Sequence, residues 1–395
     1  MLSHSWSNLF EPKEEYRRQS TLIFDGHAYC WPDLTGSGGF DSADELRRHL
    51  QGAIANHHQP VLRVRDRAPG DNSGLVDLSR RTRLDALKNA DFRWAGNGRF
   101  EWTDGGERYF KQYFAPSMRE PSYGPESLIA EMDYAGVDMA LLHRTPYLGI
   151  DNDFIADCVS RFPDRLRGLA HVPEWCCVRN PEGSLLELER AVGIGLSGLH
   201  FLPPQLNLYG DNGAWDRAEF RPFWEGVSKL DVPVFISMGQ MMNRGAGREG
   251  LDPDPEDFHD ELRTMRRWID RYPDVTLVVT HGLNWRFFME DDSIVLPEWV
   301  WEPFKDSKTY LQLLFPIALG SIWDFPLPQA QPTVAEIVDR LGADRVIWGT
   351  DMPIVARSWT YQQNLDFIRV HCDGLSEADR EAVLGGTMAR LLGLG

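Results

Sequence analysis

Eight short runs of almost unbroken apolar character recur along the chain. The first four are TLIFDGH (21–27), DMALLH (138–143), LRGLAHVP (166–173) and LSGLHFL (196–202). The last four are VPVFISM (232–238), VTLVVTHG (275–282), TYLQLLF (309–315) and DRVIWGTD (344–351). Such runs, short, rich in β-branched residues and apolar at alternate and intervening positions alike, read as strands buried on both faces. Between them the apolar spacing changes to three and four. PESLIAEMDYAGV, EGSLLELERAVGIG, FRPFWEGVSKLD, DFHDELRTMRRWIDRYP, TVAEIVDRLGA and the closing SEADREAVLGGTMARLLGL therefore read as helices. Eight strands, most of them followed by a helix, predict an α/β fold: a parallel (β/α)8 barrel, with a doubly wound open sheet as the alternative.

Two stretches break the rhythm, residues 31–123 and 239–256. The first is polar and turn-rich, around the hairpin-like core FRWAGNGRFEWTDGGERYFKQYF. It follows the first strand, so in a barrel it would lie over the C-terminal face and cover the site as a lid. No linker interrupts the remainder. The expected organisation is one domain over 21–395, including the 31–123 insertion, after an N-terminal extension, 1–20.

The chain has 395 residues, 42% of them hydrophobic, enough for a large core. Its formal net charge of −18 argues against nucleic acid or an anionic membrane as partner. It leaves room for a small anionic substrate, because a local group of arginines overrides the global sign. Five cysteines form no CxxC pair and are too scattered for a disulfide framework, and the first twenty residues contain no apolar leader segment. The expectation is a cytoplasmic protein.

The chemistry concentrates where the strands end. The first ends in His27 and Tyr29, which share a face. The second ends in His143 and Arg144, the third in His171 and the fourth in His200. Ser237 and Met238 end the fifth, His281 the sixth and Asp351 the eighth. Five of eleven histidines thus end an expected strand, on the face of a barrel where catalysis is built. A lone strand-end histidine is usually a bonded core residue; five, with an aspartate, point to a site. His4, His49, His57, His58, His259 and His371 fall in helical or polar segments and read as surface. Arg144 has the geometry to clasp a substrate carboxylate in bidentate fashion. Trp94, Trp102, Trp285 and Phe287 are candidate pocket walls, or packing for the insertion.

The order of FDGHAY, PESLIAEMDYAGVDMALL, FPDRLRGLAHVP, VPVFIS, LVVTHG, DRVIWGTDMP and the closing helix resembles the amidohydrolase superfamily. The similar branch contains aminocarboxymuconate-semialdehyde decarboxylase and the hydroxybenzoate decarboxylases. The resemblance implies a distorted barrel of the kind read above, and commonly a homodimer, for which the apolar stretch LLFPIALGSIWDFP (313–326) is a candidate contact. It further implies metal ligands at a [HE]-x-H pair on the first strand, a His on the fifth and an Asp on the eighth. His27, Asp351 and the sixth-strand His281 match; Tyr29 and Ser237 replace two ligands. His27 and Asp351 alone hold a divalent ion poorly, with His200 and His171 as substitutes.

Two schemes stay open for a small, aromatic or carboxylate-bearing substrate. The one preferred is hydrolysis of an ester, lactone, amide or C–C bond without metal. There Asp351 is general base, and His27, His171, His200, His281 and Arg144 polarise the carbonyl. The alternative is decarboxylation of an aromatic acid around zinc or manganese. A barrel that only binds is the third reading. Substrate contacts fall to Arg144, His143, Tyr29, Ser237 and Trp285.

Overall fold

The computed structural model describes residues 21–80, 83–238 and 255–394. The N-terminal extension, with His4, and nearly all of the arrhythmic stretch 239–256 lie outside the described residues.

All eight expected strands form. They are Phe24–Ala28, Met139–Leu142, Leu166–Gly168 continuing as Ala170–His171, Leu199–Phe201, Val234–Ile236, Leu277–Val279, Thr309–Leu313 and Val346–Trp348. Neighbours pair in parallel and in chain order. The third strand divides them into a sheet of three and a sheet of six. At Leu169 it changes partner: Leu169 N donates to Leu142 O (2.9 Å), while Ala170 N donates to Gly198 O (2.7 Å).

First and last strands meet at one parallel bridge, Ala28 to Met352. Tyr29 N donates to Met352 O and Asp351 N to His27 O, each at 2.8 Å. Asp25 ties the same seam. Its carboxylate accepts from His27 N (2.9 Å), Thr350 N (3.1 Å), the Thr350 hydroxyl (2.6 Å) and the Tyr361 hydroxyl (2.7 Å). Burial pushes its pKa up to about 6, against the pull of these donors.

Strand side chains split by period. Phe24, Leu141, Leu169, Phe235, Val278 and Ile347 pack together in one cluster, apart from the larger core beneath the helices. Such double burial is what the unbroken apolar runs anticipated. The expected helices are present, from Pro125–Ala135 to the C-terminal segment, and Asn152–Arg161 and Tyr361–Arg369 join them.

The 31–123 segment is more ordered than its polar composition suggested. Helix Ala43–Asn56, capped by Ser42, packs beside a four-stranded antiparallel sheet built on the pair Arg99–Asp104 and Glu107–Gln112. Trp31, Leu46, Leu50, Ile54, Phe100, Trp102 and Phe114 form its own core. Buried Lys111 holds the helix end: Nζ donates to Ile54 O and His57 O (both 2.7 Å) and to Asn72 Oδ1 (3.0 Å). In the 313–326 stretch Phe315, Leu319 and Trp323 turn inward, leaving Ile322 and Phe325 exposed. No helix among the described residues is long and apolar enough to cross a membrane.

Candidate active site

A cavity opens beyond the C-terminal ends of the strands. Its lining comes from the residues that follow seven of them, among them Tyr29, Tyr147, Leu202, Ser237, His281, Ile317 and Asp351. Helix Ala43–Asn56 and the turn after it supply the opposite wall. That is where α/β folds of parallel strands carry their chemistry.

At its floor His27, His281 and Asp351 offer ligand atoms that all lie within 4.8 Å of one another. Asp351 Oδ1 is 3.5 Å from His27 Nε2 and 3.9 Å from His281 Nε2. It is buried and has no hydrogen-bond partner. The His27 tautomer follows from its neighbours. Gln312 Nε2 donates to Gly26 O (2.7 Å), so Gln312 Oε1 accepts from His27 Nδ1 (2.8 Å). The ring proton therefore sits on Nδ1. Nε2 keeps its lone pair, which accepts from the Tyr29 hydroxyl at 2.9 Å.

Burial disfavours the charged form of each of these groups. It lowers the His281 pKa to about 4 and drives that of His27 well down, where neighbouring His143, His281 and His200 add to the effect. Burial also pushes the Asp351 carboxyl well up, opposed by the Arg357 guanidinium. Two unprotonated imidazoles and an orphaned carboxylate oxygen suit a divalent cation with an open coordination position. His281 thereby completes a donor set that His27 and Asp351 alone leave short. His281 and Asp351 both hold left-handed backbone, φ +60° and +68°. Gly349 leaves room for the set, since a Cβ there would stand 2.9 Å from that of His27.

Several expected residues lie elsewhere. His200 is buried with both ring nitrogens engaged: Nδ1 accepts from Arg144 N (3.3 Å), and Nε2 donates to Ser237 Oγ (2.9 Å). Ser237 bonds in turn to Thr280, which donates to Ile236 O (3.2 Å). His171 Nε2 bonds to buried Glu174 (3.2 Å), whose other oxygen accepts from Leu202 N (2.8 Å). Neither imidazole lines the cavity, so neither substitutes for a missing ligand. His143 stacks on His27 at 3.6 Å and donates to Gly26 O (2.9 Å); it supports the floor from behind. Arg144 is fully buried outside the lining, so it does not reach a ligand in the cavity.

Of the four proposed aromatic walls, only Trp285 lines the cavity, stacked on Phe315 at 4.2 Å. Trp94 and Trp102 belong to the inserted segment's core, and Phe287 packs on Phe258. Conversely His57, read as surface, is buried and lines the cavity beside exposed His58. Arg286 and Arg357 line it as well. The signal for His57 is the Ser42-capped helix, whose pattern the surrounding turn-forming residues mask; nothing in the sequence marked the two arginines.

An α/β architecture of parallel strands with a two-histidine, one-carboxylate set at their ends defines an enzyme of the strand-end-site class. Residues 25–394 match the amidohydrolase family, and the protein belongs to it. It is an enzyme, a hydrolase or a decarboxylase. Gamma-resorcylate decarboxylase of Polaromonas sp. (strain JS666 / ATCC BAA-500) is 27% identical over 267 residues, 62% of this chain and 75% of its own. The enzyme of that name from Rhizobium radiobacter is 25% identical over 302 residues, 69% and 84% of the two chains. The crystal structure of 5-carboxyvanillate decarboxylase from Sphingomonas paucimobilis aligns with a TM-score of 0.50 at 19% identity. It covers 68% of this chain and 82% of that one, a likeness of fold.

Proposed function

We propose that the protein is a non-oxidative decarboxylase of an aromatic carboxylic acid, with a divalent cation, zinc or manganese, held by His27, His281 and Asp351. The observation that carries this reading is a donor set opening into a cavity walled by Tyr113, Tyr147, Trp285, Ile317 and Ile354. A flat ring fits between such walls with its carboxylate against the donor set. The names of the relatives support it.

A cation bound there would supply positive charge that polarises the oxygens of the substrate. Gln312 and Tyr29 fix the His27 ring. Among the described residues lining the cavity Asp351 is the only one with a carboxyl group, and decarboxylation needs one proton delivered to carbon. Starting from the protonated carboxyl that burial favours, its O–H bond breaks and a C–H bond forms at the ring carbon bearing the carboxylate, leaving Asp351 as the carboxylate. The bond from that carbon to the carboxylate then breaks, its electron pair returns to the ring, and CO₂ leaves. Hydrolysis, the scheme preferred from sequence, would use the same carboxyl to take a proton from water and return it to the leaving group; the relatives named as decarboxylases favour the other scheme. His171 and His200 we assign to support.

In the same reading the two sheets form one distorted barrel within a single domain, 21–395, covered by 31–123. Ile322 and Phe325 form the edge assigned to a homodimer, and five free cysteines suit a reducing, cytoplasmic setting.

The test is CO₂ release from gamma-resorcylate and related aromatic acids by protein loaded with zinc or manganese. One CO₂ per acid consumed, lost in Asp351→Asn, is expected. Ester or lactone cleavage without CO₂, insensitive to chelation, would overturn the reading.

A further inference from the structure

The charges lining the cavity invert those of the chain. Overall 59 acidic residues face 41 Lys and Arg. Among the described lining residues Asp351 is the only acid, while Arg286 and Arg357 stand beside His57 and His58. They converge from three separate stretches: the loop after strand Leu277–Val279, the turn after Val346–Trp348, and the end of helix Ala43–Asn56.

Among the described residues neither arginine makes an ion pair. Arg286 Nε donates to Ala318 O (2.8 Å), and its Nη2 is 3.3 Å from His58 Nε2. Arg357 Nη1 donates to Tyr113 O (3.3 Å), with its guanidinium 5.7 Å above the Tyr113 ring. Elsewhere the pattern differs: Arg63, Arg190, Arg267 and Arg340 each grip a carboxylate with two nitrogens. In an acidic chain, carboxylates for two more pairs were plentiful.

Like charges held together in a half-buried wall repel, and Arg357 joins desolvation in lowering the Arg286 pKa. A bound anion reverses both penalties. Each guanidinium carries five N–H donors, most of them unused here, in a fork matched to a carboxylate. Arg357 and Asp351 both line the cavity, so the two anion-attracting features face one space.

The geometry points to a second carboxylate-binding subsite at Arg286 and Arg357, and so to a substrate that is an aromatic diacid. One carboxylate meets His27, His281 and Asp351; the other meets the guanidiniums. This rests on the reading of the donor set as the place of decarboxylation. It also replaces Arg144, which the fold has buried outside the cavity, as the anion holder.

The test compares benzene-1,3- and benzene-1,4-dicarboxylate with their monoamides, which keep the shape and lose one charge. Calorimetric titration of the zinc-loaded protein should give at least one diacid that binds about tenfold or more tighter than its monoamide. Arg357→Gln, and separately Arg286→Gln, should erase that preference and leave the affinity for the monoamide within about twofold. Two separate substitutions guard against one that fails to fold, checked by melting temperature. Equal binding of diacid and monoamide to the native protein would overturn the subsite. If monoamide binding still weakens in His281→Ala, the donor-set reading survives that failure. Monoamide binding that depends on Arg357 but not on His281 would put its one carboxylate at the guanidiniums and overturn the donor-set reading, and with it the two-ended placement of a diacid.

Discussion

The strand-end rim has two sides, and they use their polar atoms differently. Where the third, fourth and fifth strands end, His200 gives up both ring nitrogens to Arg144 N and Ser237, Ser237 goes to Thr280, and His171 goes to Glu174. Where the first, sixth and eighth strands end, the His27 Nε2 lone pair meets only the hydroxyl of Tyr29, itself a cavity-lining group, and Asp351 Oδ1 has no hydrogen-bond partner. The residue types are similar and the burial is nearly the same. Local partners, then, decide whether a buried histidine is an open ligand or a satisfied core residue.

That contrast breaks most readily at Asp351. Asp351→Asn should lower CO₂ release by about 10²- to 10⁴-fold, the range for losing a positioned proton carrier. Retained turnover would move the chemistry to another part of the rim. Next in size is Gln312→Leu, which removes the acceptor that holds the His27 proton on Nδ1. Zinc affinity should fall about 10- to 100-fold, and the ¹⁵N shifts of His27 should report a change of tautomer. Unchanged affinity and shifts would show that the ring orients itself without Gln312.

Acid tests both sides together. His27, His143, His200 and His281 have depressed folded-state pKa values, that of His281 about 4. In the unfolded chain a histidine titrates near ~6.5. Between those limits the unfolded chain takes up protons that the folded one refuses, so stability falls as pH drops below about 6.5. The melting temperature should fall from pH 7 to pH 4.5, because the four histidines outnumber Asp25 and Asp351, whose raised pKa values act the other way; a rise over that range would mean that these rings are charged in the fold. The smallest expected effect is where the fourth and fifth strands end. Ser237→Ala leaves the His200 N–H and Thr280 unmatched, for a loss of about 1–3 kcal/mol of stability. Turnover per folded molecule should stay within a few-fold, and a large drop would erase the distinction.

Much of the framework was legible in the chain. Strands such as Val234–Ile236 and Leu277–Val279 carry continuous apolar runs because both their faces are covered, and their ends marked the rim. The legible part of the site was His27, His281 and Asp351. Which other strand-end residues would join them was not, because His200 and His171 are disposed of by Ser237 and Glu174, contacts set by packing and not by period. Arg286 and Arg357 were invisible for the same reason: an arginine's role depends on whether a carboxylate stands beside it. The helix Ala43–Asn56 was missed because surrounding turn-forming residues masked its capped, amphipathic pattern.

His281 and Asp351 hold a backbone conformation that glycine adopts with less strain. Selection for heat resistance alone, in a library free to vary at both positions, should therefore drift toward glycine and yield sturdier, inert proteins. Finding imidazole and carboxylate at these two positions marks them as kept for work, at some sacrifice of durability.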